Sequence, residues 1–238
     1  MRVAALYDVH GNLPALEAAL ADAERAAVDA VLCGGDVSAG PMPVECVDRL
    51  REAGAVFVRG NADRDLGGWA AEQMSSDRRE FLASLPATAT LDIEGLGEVL
   101  FCHATPSSDE VYFLETTQEH RALEILGAVR EPVVVCGHTH MQFDRQIGPT
   151  RVVNAGSVGM PYEARPGAYW ALLGPGVELR RTEYDLEAAA ARVRATGWPD
   201  AEEFVRENLL VVPTRAEALA VFEPGVGLPF PYGRAAAT

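Results

Sequence analysis

Residues 3–12 read Val3-Ala4-Ala5-Leu6-Tyr7-Asp8-Val9-His10-Gly11-Asn12. An apolar run of strand length stops at an acid, an imidazole and a glycine. The spacing that follows, with Leu13, Leu16, Ala19, Leu20 and Ala23 on one face, predicts a helix over 13–25. Asn12 is its cap and Pro14 sits in its first turn. The same alternation continues outward, with strands over 30–33 and 55–58 and a helix over 44–53. This β-α-β-α-β order argues for an α/β fold on a largely parallel sheet.

Further along the character changes. A helix over 77–85 precedes a hairpin, with strands over 88–93 and 98–102 flanking Glu94-Gly95-Leu96-Gly97. A helix over 118–129 leads to a strand over 133–136, and strands over 152–154, 168–173 and 177–181 follow. Parallel units early and antiparallel strands late predict two stacked mixed sheets with helices outside. The tail reads as three short helices over 185–195, 200–208 and 214–220, each capped by Asp or Thr, then a Pro- and Gly-rich end over 223–233. The expected organisation is a domain over 1–181 and a helical appendage over 182–238 packed on it.

A chain of 238 residues suits one large domain or one domain with an appendage, and 48% apolar residues excludes wholesale disorder. It has no apolar run of membrane-spanning length, and the N-terminal apolar stretch is too short for a signal peptide and ends at Asp8. A soluble, cytoplasmic protein is expected. Thirty-five acids stand against twenty bases, all of them Arg, for a net charge of −15. That balance argues against nucleic-acid and membrane partners. An anionic substrate would need a local positive site, which metal ions can supply. Cys33, Cys46, Cys102 and Cys136 lack any C-x-x-C spacing and read as small buried hydrophobes.

Four of the five His residues, His10, His103, His138 and His140, fall at or just past the end of an expected strand. Ligands of α/β sheets bind there. Asp8 and His10 are two residues apart, as are His138 and His140; extended backbone would point each pair to one face. Asp36 follows Gly34-Gly35, and Asn61 follows Gly60. Asp8, His10, Asp36, Asn61, His103, His138 and His140 thus form a set of carboxylate, imidazole and carboxamide ligands without thiolate. That mixture suits a catalytic transition-metal site. Seven ligands exceed what one ion takes and suit two ions sharing a carboxylate.

The order Asp8-Val9-His10, Gly35-Asp36, Gly60-Asn61, His103 and Gly137-His138-Thr139-His140 resembles the calcineurin-like metallophosphoesterase family. Val58-Arg59-Gly60-Asn61 and Asn154-Ala155-Gly156-Ser157-Val158-Gly159 are similar to its small bacterial single-domain phosphodiesterase branch. The resemblance covers roughly residues 1–180. It implies a four-layer α-β-β-α sandwich and a dinuclear centre. Asp8, His10, Asp36 and His140 would hold one metal; Asp36, Asn61, His103 and His138 the other, with Asp36 bridging. Manganese is the first choice, with iron, zinc, nickel or cobalt as alternatives. The implied reaction is hydrolysis of phosphodiester, phosphomonoester or phosphoanhydride bonds by in-line attack of a metal-bridging hydroxide. Asp36, Asn61, Arg59 and His138 are expected to carry catalysis, Arg59 by contacting phosphate. The substrate would be a small phosphodiester, a nucleotide or a dinucleoside polyphosphate.

The sequence departs from the wider family after Gly60-Asn61, where many members carry a His that protonates the leaving group. Here that residue is Ala62, which implies a preference for good leaving groups unless water or Asp63 donates the proton. His120 reads as a solvated helix residue, and Asp109 and Glu110 as loop solvation. Tyr112, Phe113, Tyr162 and Trp170 are expected in core packing rather than as a substrate wall, and Asn154 and Ser157 in turn geometry. The competing reading is a protein-interaction scaffold of the same fold. Ligand loss marks such a scaffold, and no ligand position is lost here.

Overall fold

The computed structural model describes residues 1–229, so the Pro- and Gly-rich end expected over 223–233 falls partly outside the described residues. Two five-stranded mixed sheets form the centre. The first, in the order β10-β9-β1-β2-β3, contains β1 (Val3–Leu6), β2 (Ala30–Cys33), β3 (Val56–Phe57), β9 (Ala168–Leu173) and β10 (Val177–Thr182). The second, in the order β4-β5-β6-β8-β7, contains β4 (Thr88–Ile93), β5 (Gly97–Cys102), β6 (Val133–Cys136), β7 (Phe143–Ile147) and β8 (Thr150–Asn154). In the first sheet β1, β2 and β3 run parallel while β9 and β10 are antiparallel. In the second β5, β6 and β8 are parallel, with β4 and β7 as antiparallel edges. The expected two-sheet α/β architecture is what the chain adopts.

The alternation of side chains along each strand builds the layers. Val3, Ala5 and Tyr7 face inward and meet Val99, Phe101, Val133 and Val135 of the second sheet. Ala4, Leu6, Val31 and Cys33 face outward and are covered by α1 (Leu13–Arg25) and α2 (Pro43–Glu52). Leu100, Cys102, Val134 and Cys136 face the other way and are covered by α6 (Glu119–Leu126). All four thiols are buried, and burial pushes each of them up.

Short helices α3 (Asn61–Arg64), α4 (Gly68–Gln73) and α5 (Ser76–Ser84) link the sheets. In the tail, α7 (Leu186–Ala195) and α8 (Ala201–Phe204) are followed by a π-helical turn (Val205–Leu209) and α9 (Arg215–Phe222). Ala190, Val193, Phe204, Val205 and Leu209 join the hydrophobic cluster that α1 and α2 make with the first sheet. Ala218 and Phe222 of α9 pack instead on Tyr112, Leu114 and Met141. Asp185 and Thr214 accept the capping hydrogen bonds expected of them, whereas Asp200 caps α8 without a side-chain bond. Trp170 and Phe113 lie in the core as expected.

Candidate metal centre

Every sequence-selected ligand lies just past a strand or at a helix start, on one edge shared by the two sheets. The loops are tied to one another by the backbone. Asp8 N donates to Gly35 O (3.1 Å), His10 N to Asp36 O (2.9 Å), Gly137 N to His103 O (2.8 Å) and Gly159 N to Asp8 O (3.0 Å). Asp63 adds a clamp that sequence reading missed. Its buried carboxylate accepts from Asp36 N (2.8 Å), Val37 N (3.0 Å) and Gly60 N (3.1 Å), joining the loops after β2 and β3. Both oxygens are thus engaged with backbone donors, which leaves Asp63 poorly placed to protonate a leaving group.

The paired spacing works differently from the expectation. The backbone at these residues is not extended: φ is +52° at Asp8, +46° at His10, +53° at Asp36, +66° at His138 and +59° at His140. These are left-handed conformations that L-residues adopt at a cost. Asp8 and His10 do turn to one place, but His138 and His140 separate. The ligand atoms of Asp8, His10 and His140 gather within 4.8 Å of one another, and those of Asp36, His103 and His138 do likewise.

The two groups adjoin. His10 Nε2 lies 3.1 Å from His140 Nε2, and His138 Nδ1 lies 3.2 Å from His103 Nε2. Asp36 Oδ2 reaches towards both, 3.9 Å from His10 Nε2 and 3.5 Å from His103 Nε2. Asp8 Oδ1 is buried without a hydrogen bond, facing His140 Nε2 at 3.4 Å. Asn61 is 5% exposed, and its buried Oδ1 likewise has no hydrogen-bond partner.

Three imidazoles are oriented from behind. The Nδ1 atoms of His10, His103 and His140 face the carbonyls of Ala39 (3.3 Å), Gly34 (2.8 Å) and Met160 (2.7 Å), which assigns the proton to Nδ1 and turns the Nε2 lone pair inward. Tyr162 stacks on the His140 ring, with centroids 4.7 Å apart, so it borders the site as well as packing, partly buried, on the cluster around Tyr112 and Phe222. Asn154 Nδ2 donates to Gly137 O (2.7 Å) and Thr139 Oγ1 (3.0 Å), and Ser157 Oγ to Asp8 O (2.7 Å). These two residues therefore hold ligand loops as well as their own turn.

The donor arrangement fits metal ions. Two imidazoles on one ion at about 2.0–2.1 Å place their nitrogens roughly 2.9–3.4 Å apart. Electrostatics agrees. Burial pushes Asp36 up, but His103 and His10 outweigh it and hold the carboxyl well below the usual range. Burial and the neighbouring His103 push His138 down to about 3, whereas Asp36 and Asp8 overcome the burial of His103 and lift it to about 10.

A cavity of about 570 Å³ opens onto this edge, lined by His10, Asp36, Asn61 and Ala62 and walled opposite by residues of the tail. Arg59 is half-buried and outside that lining, and its buried Nε makes no hydrogen bond. Asp109 and Glu110 are not merely solvated: both pair with Arg64. His120 is exposed on α6, away from the centre.

Residues 1–173 match the model of the calcineurin-like phosphoesterase superfamily domain. The chain is 25% identical over 233 residues to the uncharacterized protein MJ0912 of Methanocaldococcus jannaschii, covering 83% of this chain and 94% of that protein. A solved metallophosphoesterase from Sphaerobacter thermophilus is 28% identical, with a TM-score of 0.69 over 86% of this chain and 97% of that one. The phosphoesterase Yfce from E. coli is 25% identical, with a TM-score of 0.51 over 73% of this chain and 88% of that one. With more than half its length matched, the chain belongs to the calcineurin-like phosphoesterase superfamily.

Proposed function

We propose that the protein hydrolyses small phosphoesters with two divalent metal ions. Asp8, His10 and His140 would hold one, Asn61, His103 and His138 the other, and Asp36 both. Manganese is the first choice, with iron, zinc, nickel or cobalt as alternatives. The observation that carries this reading is the pair of imidazole contacts at 3.1 and 3.2 Å beside two buried carboxylates. A donor set of nitrogen and oxygen without thiolate suits these ions.

Bound there, the ions supply Lewis acidity to the phosphoryl oxygens and hydroxide near neutral pH. The chain's residues do the rest. Asp36 and Asp8 set the charge of the centre, and the carbonyls behind His10, His103 and His140 keep their rings aimed. Arg59 is retained as a phosphate contact, its fork suited to two oxygens. Ala62 lines the cavity but carries no proton to give, and Asp63 is committed to the backbone. The leaving group therefore departs with help from water alone, and aryl esters and anhydrides outpace alkyl esters. Ala62→His is expected to raise kcat on alkyl diesters by roughly 10²-fold while leaving aryl esters nearly unchanged. The scaffold alternative gains no support from the site: six of the seven proposed ligands gather in two groups, and Asn61 lines the cavity beside them.

The test is hydrolysis of bis-p-nitrophenyl phosphate by chelator-treated protein resupplied with Mn²⁺, beside Asp36→Asn. Metal-dependent release of nitrophenolate, lost in the variant, supports the proposal. No turnover together with no bound metal overturns it.

A further inference from the structure

The cavity joins two dissimilar ends. At one lie His10, Asp36 and Asn61, whose Oδ1 is buried without a hydrogen-bond partner. At the other the lining includes Asp65, Glu110, Asp200 and Glu203, together with Trp198 and Phe204. Among the described residues no Arg lines it. Arg64, just outside, is shared by Asp65 (2.8 Å), Glu110 (2.9 Å) and Asp109, so one guanidinium faces three carboxylates. Arg59 lies close enough to help lower the Asp65 carboxyl but does not line the cavity. Asp200 and Glu203 form no ion pair among the described residues. Trp198 meets Phe204 edge-on, with centroids 5.5 Å apart.

Such a wall discriminates between substrates by charge. A phosphoryl group at the His10–Asp36–Asn61 end would have its charge met by the ions proposed there. The remainder of the substrate meets carboxylates and two aromatic rings. Further phosphates would be repelled there, since the Arg64 guanidinium beside the wall is already shared by three carboxylates, while an organic cation is attracted by the acids and meets Trp198 and Phe204 in the same lining.

Resting on the phosphoesterase reading above, we infer that the C-terminal helices build a cation subsite, and that the substrate is a phosphodiester bearing an organic ammonium group. The subsite comes from the tail, the segment around α3 and Glu110 of the loop after β5, so the proposed catalytic edge supplies the chemistry and this wall selects the substrate. Nucleotides and dinucleoside polyphosphates are disfavoured by the same wall.

Three diesters that share one leaving group test this: p-nitrophenyl phosphocholine, its anionic isostere without the ammonium group, p-nitrophenyl neohexyl phosphate, and the p-nitrophenyl ester of thymidylate. At low salt the choline ester is expected to exceed the isostere about tenfold in kcat/KM, with the thymidylate ester lowest. The ratio should fall towards one in Asp200→Asn/Glu203→Gln and in the wild type as salt is added. Calorimetric binding of phosphocholine against neohexyl phosphate reads the same preference without turnover. A ratio at or below one, or a ratio the double variant leaves intact, overturns the inference while the phosphoesterase reading stands. Should the double variant not fold, the wild-type ratio, its salt dependence and the calorimetry still decide. Mn²⁺-dependent turnover of none of the three removes the phosphoesterase reading, and this one with it.

Discussion

Among the described residues six that are not glycine hold left-handed backbone, and five of them are Asp8, His10, Asp36, His138 and His140. Strain of this kind, on the order of 1–3 kcal/mol per residue, persists where the surroundings over-determine it. Here the surroundings include two glycines pressed against the carboxylates of Asp36 and Asp8. A Cβ on Gly60 would stand 2.1 Å from Asp36 Oδ1, and one on Gly137 2.5 Å from Asp8 Oδ2. Gly60→Ala must therefore displace Asp36. We expect metal stoichiometry to fall below two per chain and activity to drop by about 10²-fold or more, with the far-ultraviolet spectrum unchanged; elemental analysis of the purified variant checks it. A second residue-scale expectation follows from His103, whose proton is held up to about 10 by Asp36 and Asp8 against the cost of burial. A metal taking its Nε2 must displace that proton. Binding near neutral pH should release about one proton per chain from this residue, and the apparent affinity should rise about tenfold per pH unit below 10. Calorimetry in buffers of differing ionisation heat reads the release. In chelator-treated protein the sign for stability is opposite. The His103 contribution is fully present below its unfolded value near 6.5 and is lost as pH rises through about 10. The gathering of these carboxylates and imidazoles was readable in the sequence because they follow the ends of apolar runs. What spacing could not convey was the split between His138 and His140, since extended backbone was assumed where the chain turns left-handed.

At the scale of elements, legibility followed apolar patterning. α1, β2, β4 and β9 match their expected bounds, α1 and β4 through one regularly apolar face and β2 and β9 as short runs buried on both faces. β7 was missed because Phe143-Asp144-Arg145-Gln146-Ile147 is polar between its ends, as an edge strand can be, and Arg145 spends its guanidinium on the carbonyls of Leu114 and Thr117. α3 and α4 span four and six residues, too few for a period to register. The helix expected over 200–208 is α8 continued by a π-turn, a distortion that leaves no mark in composition and that recurs at functional sites. In α9 the cap at Thr214 was legible, but its reciprocal partner Glu217 and the helix end at Phe222 were not. Thr214 Oγ1 accepts from Glu217 N, and Glu217 Oε2 accepts from Thr214 N (2.9 Å), a reciprocal cap. Phe222 of the same helix contacts the Tyr112 ring, which borders His138. Thr214→Ala is expected to cost about 1 kcal/mol, and hydrogen exchange should quicken in α9 before it does in β1 or β6. Uniform loss of protection across the sheets would contradict this independence of the helix.

Across the whole molecule, charge is the property that the fold distributes rather than creates. A net charge of −15 surrounds a centre whose metal ions, if two divalent ions are held, offset only four of those charges. No helix among the described residues is long and apolar enough to cross a membrane, and an acidic surface acts at long range. Its effect falls on substrates approaching through water. At about 0.01 M salt the Debye length is roughly 30 Å, comparable with a small domain, and an anionic ester feels the whole surface. At about 0.15 M the length shortens to roughly 8 Å, and only the cavity wall still acts. For the thymidylate ester, kcat/KM should therefore rise several-fold between these salt concentrations, through KM and not kcat, because repulsion acts on encounter and binding. The zwitterionic choline ester carries no net charge and escapes the long-range repulsion, while its ammonium group loses local attraction as salt rises. Its kcat/KM should fall modestly over the same range. Opposite slopes for the two esters would separate the molecule's field from its subsite, whereas parallel slopes would show that the acidic surface exerts no selection on what reaches the metal centre.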